Sequence, residues 1–136
     1  MSEREEDKED AGGAPFRLPL DAKKVAIVCH RHADPDAYLS AYALSFLLRQ
    51  LSPEAQVDII VPDGMSLLTR QLQDTFKHDT MENSKTEYDT FFAVDMGHAE
   101  LMKDWLARVA ESKGPRILID HHPIQQNDVY TERLVD

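Results

Sequence analysis

A single cysteine, Cys29, stands in 136 residues, so no internal disulfide can staple the chain, and a reducing cytoplasm is the compartment that fits. No run approaches the ~18 apolar residues of a membrane span. Residues 1–15 (MSEREEDKEDAGGAP) contain no apolar stretch that could serve as a signal peptide. Positive charge is scarce: 15 Lys and Arg against 25 Asp and Glu leave a formal net charge of -10. That balance argues against a broad basic face that coats duplex DNA. It leaves room for a small phosphate substrate held at a metal, because the ion brings positive charge of its own. Glycine is sparse, at five, and no glycine-rich loop able to cradle phosphates is present. There is no CxxC pair, no serine in a nucleophile elbow and no internal repeat.

What remains is the make-up of one globular domain. Residues 1–15 read as a disordered acidic tail. From about residue 20 to 136 the composition suits a single domain, and 42% hydrophobic residues can build a core. Short apolar runs at Val25–Cys29, Val57–Val61, Phe91–Val94 and Arg116–Ile119 predict buried strands. Between them the spacing predicts helices. The first runs from about Pro35 to Leu51, with Leu44, Leu47, Leu48 and Leu51 as its apolar face and Ser52-Pro53 as its stop. Met65, Leu68, Leu72 and Phe76 mark a second, and Met102, Trp105, Leu106 and Val109 a third, closed by Gly114-Pro115. Pro62-Asp63-Gly64 reads as a turn only, and residues 77–87 as a polar loop. Alternation of strand and helix implies an α/β fold, doubly wound, with a mostly parallel sheet and helices on both faces.

Ligand sites in such sheets lie beyond the carboxyl ends of the strands. Three of the four strand ends carry Asp and His there. The first ends in His30-Arg31-His32-Ala33-Asp34-Pro35-Asp36, the third in Asp95-Met96-Gly97-His98 and the fourth in Asp120-His121-His122. Each has an ordinary explanation. Asp34 before Pro35 makes a good helix cap, Asp95 before Met96-Gly97 a plain turn, and the lone Cys29 reads as a small core residue. Joint placement at one edge is hard to obtain from caps and turns. Histidine and aspartate together ligate divalent ions, and carboxylates can bridge two of them.

The segment His30-x-x-x-Asp34-x-Asp36, the step Val94-Asp95-x-Gly97 and the triplet Asp120-His121-His122 resemble motifs I, II and III of the DHH phosphoesterases. The resemblance runs from about Val25 to the C-terminus. It implies hydrolysis of phosphoester bonds in nucleotides or short single-stranded oligonucleotides by a two-metal mechanism. One metal would be held by His30, Asp34 and Asp95, and the second by Asp36, Asp95 and His121, with Asp95 as the bridge. His122 would face the phosphate, and Asp120 would orient the histidines from behind. Mixed imidazole and carboxylate donors favour Mn²⁺, with Mg²⁺ or Co²⁺ also fitting, whereas a site without thiolate does not suit structural zinc. A homodimer is compatible with this reading, and a membrane partner is not expected.

Two departures from the family pattern carry weight. His32 stands where many relatives have asparagine, so it would tune the metal or touch substrate. The family also supplies a further metal-binding aspartate and a substrate domain from later segments, whereas this sequence ends at Asp136. Residues 123–136 are polar, and Val129, Tyr130, Leu134 and Val135 are expected to lack a helix to bury them. The domain is therefore expected to be incomplete at its C-terminus. A non-catalytic scaffold of the replication-associated type and an inorganic pyrophosphatase are the alternatives to a nucleotide phosphoesterase.

Overall fold

A computed structural model describes residues 21–30, 32–76, 79–95, 104–120 and 130–135. The strands are β1 (Lys24–Val28), β2 (Gln56–Ile60), β3 (Thr90–Val94), β4 (Arg116–Asp120) and β5 (Glu132–Val135). The helices are α1 (Pro35–Leu51), α2 (Leu67–Phe76) and α3 (Trp105–Glu111). One sheet takes the order β2-β1-β3-β4-β5, and every pairing is parallel.

The continuous apolar runs follow from burial on both faces, since successive residues of a strand point to opposite sides. Val25, Ile27, Val57, Ile59, Phe92, Val94 and Ile117 face one layer, where Ala37, Ala41, Leu44 and Leu48 of α1 cover them. Ala26, Val28, Ile60, Phe91, Ala93 and Leu118 face the other, under Trp105 and Val109 of α3. Helices on both faces of a parallel sheet confirm the predicted fold class.

Three expectations need correction. The buried face of α1 is centred on Ala37, Ala41, Leu44 and Leu48, while Leu47 and Leu51 are 44% and 48% exposed. Alanine pairs bring the helix close to the sheet, which rotates half of the leucine stripe outward. In α2, Leu68 and Phe76 are exposed and Thr69 is the buried residue, its hydroxyl 2.7 Å from Ser66 Oγ. Met65 precedes that helix and forms a bridge with Ala33.

The third correction concerns the C-terminal segment, which adds a fifth strand. Glu132–Val135 lies parallel beside β4 in the register Ile117↔Glu132 to Asp120↔Val135, and Tyr130 is buried in the second layer. Thr131 clips its start, accepting from Arg116 N at 2.8 Å through Oγ1 and donating its own N–H to Arg116 O at 2.6 Å. The stretch Glu-Arg-Leu-Val pairs two charged residues with two apolar ones, too short an apolar run to announce a strand. Val129, Met102 and the expected tail lie outside the described residues.

Candidate metal centre

The order 2-1-3-4-5 places the chain's change of direction between β1 and β3. Connections from these two strands leave on opposite faces and open a crevice at their carboxyl ends. His30 follows β1 and Asp95 follows β3, so both stand at this crevice.

The loop from β1 to α1 is held by backbone bonds to the loop after β2. Cys29 N donates to Ile60 O (2.9 Å), His32 N to Pro62 O (3.3 Å), Ala33 N to Gly64 O (3.2 Å), and Ser66 N to Ala33 O (3.0 Å). The Pro62-Asp63-Gly64 turn thus does more than reverse the chain: its carbonyls fix the height of the loop that carries His30 and Asp34. Backbone contacts of this kind leave no side-chain signature, which is why the turn showed no role in sequence. Beneath the loop, the buried Cys29 thiol lies 3.7 Å from Ala37 O and is pushed up to about 12, by burial first and then by the carboxylates of Asp34 and Asp95. It is a packing residue, since its thiolate is strongly disfavoured.

Asp34 caps α1. Its backbone is extended (φ -88, ψ 175), its Oδ1 accepts from Ala37 N at 2.9 Å, and Pro35 opens the helix. The ordinary reading of Asp34 is therefore correct as far as it goes. The same Oδ1 lies 3.7 Å from His30 Nε2. Asp95, only 9% exposed, adopts a left-handed backbone (φ 51) and donates its N–H to Ile119 O at 3.0 Å. A left-handed conformation costs a non-glycine residue about 1–2 kcal/mol, though aspartate and histidine tolerate it better than most. Such strain tends to persist where geometry serves a site.

One ligand atom each from His30, Asp34 and Asp95 lie within 4.8 Å of one another. Two metal–ligand bonds of ~2.0–2.6 Å span at most about 4.0–5.2 Å, so donors this close are within the range that can share one ion. An imidazole with two carboxylates is a donor set that fits Mn²⁺ or a similar dication, and a nearly buried carboxylate gains much from a bound cation. The chain's own residues therefore fit a metal.

Of the other expected residues, Asp36 occupies the first turn of α1, is exposed, and is not part of this three-donor group. Asp120 ends β4 on the strand next to Asp95, as the register Val94↔Ile119 dictates. His32 is exposed and left-handed (φ 55), two residues from both His30 and Asp34. His121 and His122 lie outside the described residues. Among those described, no helix is long and apolar enough to cross a membrane.

Comparison with known proteins places the fold. The model of the DHH family, N-terminal domain, matches residues 24–135. An uncharacterized protein of Methanocaldococcus jannaschii is 34% identical over 104 residues, covering 76% of this chain and 31% of the relative. The crystal structure of an exopolyphosphatase-related protein from Bacteroides fragilis superposes with a TM-score of 0.69 at 24% identity, over 85% of this chain and 35% of that one. The chain thus spans about a third of the length of each.

Proposed function

The chain belongs to the DHH family, and on that premise we propose that it carries the metal-binding part of a phosphoesterase acting on nucleotides or short oligonucleotides. The observation that carries this reading is the approach of His30, Asp34 and Asp95 to within 4.8 Å across the crevice between β1 and β3. Bound dications, Mn²⁺ by preference, supply the positive charge that draws a phosphate and the acidity that activates water for in-line attack.

The protein's own residues do the rest. His30 and Asp34 would hold one ion from a loop whose height is fixed by Pro62 and Gly64. Asp95 would be shared with a second ion, for which the family resemblance offers Asp36 and His121 as further ligands. By the same resemblance Asp120 would orient the neighbouring imidazoles and His122 would contact the phosphate. In this reading three carboxylates, from Asp34, Asp36 and Asp95, partly neutralise two dications and leave a local positive site in an acidic protein. The setting is a reducing cytoplasm, where Cys29 stays a buried thiol.

The test is metal binding by calorimetry alongside hydrolysis of a dinucleotide, adenosine bisphosphate, pyrophosphate and polyphosphate. Asp95→Asn keeps a side chain that tolerates the left-handed backbone and removes the charge. We expect Mn²⁺ affinity to fall by at least ~10-fold and turnover to vanish, with an unchanged melting temperature. Turnover by this variant near that of the parent would overturn the metal assignment. Preference for pyrophosphate over both nucleotides would replace the substrate class.

A further inference from the structure

We draw no further inference here: the strongest candidate, the exposed apolar patch that Leu39, Phe46, Leu47 and Leu51 form on the outer side of helix α1, carries nothing because nothing in the structure shows what covers it.

Discussion

At Asp34 one carboxylate both accepts from Ala37 N and lies 3.7 Å from His30 Nε2, so substitutions there can separate two duties. Asp34→Ser keeps a capping hydroxyl and removes the negative charge. It should leave stability nearly intact while weakening Mn²⁺ binding at least ~10-fold. Asp34→Ala should lose the metal equally and cost about 1 kcal/mol more in a denaturant titration. Equal metal affinity in the parent and Asp34→Ser would leave the residue with capping alone. His32 offers the reverse case. Its left-handed backbone is one that asparagine adopts readily, so His32→Asn should keep both the melting temperature and the metal affinity. A ten-fold loss of Mn²⁺ affinity in that variant would make His32 a ligand in its own right. Both residues were legible in sequence as members of a strand-end group. The left-handed turns and the carbonyl clamp from Pro62 and Gly64 were not, because backbone geometry is set by partners distant in sequence.

Elements were most legible where local chemistry and packing agree. The bounds of α1 coincide with its Asp34-Pro35 start and Ser52-Pro53 stop, and β1 to β4 match their apolar runs. Where tertiary contact decides, the pattern misleads: half the leucines of α1 face outward, and β5 hides in a mixed tetrapeptide. Gly114 illustrates a packing demand that reads in sequence as simple punctuation. A Cβ there would stand 1.9 Å from Asp89 O, and Asp89 in turn accepts from the N–H groups of Lys23 and Lys24 through Oδ2. Gly114→Ala must push the backbone between α3 and β4 away from the start of β3. It should destabilise by about 1–3 kcal/mol in urea, the scale of overpacking against an unyielding neighbour. A variant as stable as the parent would mean that the Gly114 segment moves freely.

Across the whole molecule, stability should decline in alkali. Tyr88 donates to Asp58 Oδ2 at 2.6 Å, and its phenol is pushed up to about 12, by burial first and then by that carboxylate. In the unfolded chain the group ionises near its ordinary 10.0. The folded state therefore holds its proton more tightly. This contribution is fully present below pH 10 and is lost progressively between 10 and 12. Unfolding midpoints measured from pH 8 upward should fall over that interval, and Tyr88→Phe should flatten the fall. A slope unchanged in Tyr88→Phe would move the effect to other groups. The crevice between β1 and β3 also has a consequence in time. His30 and Asp34 are near neighbours along the chain, but Asp95 joins them only after β3 has docked beside β1, past the whole of α1, β2 and α2. A nascent or refolding chain offers no complete cage to an ion until that long-range pairing exists. Manganese should therefore leave the refolding rate unchanged and slow unfolding, acting as a bolt thrown once the door is shut.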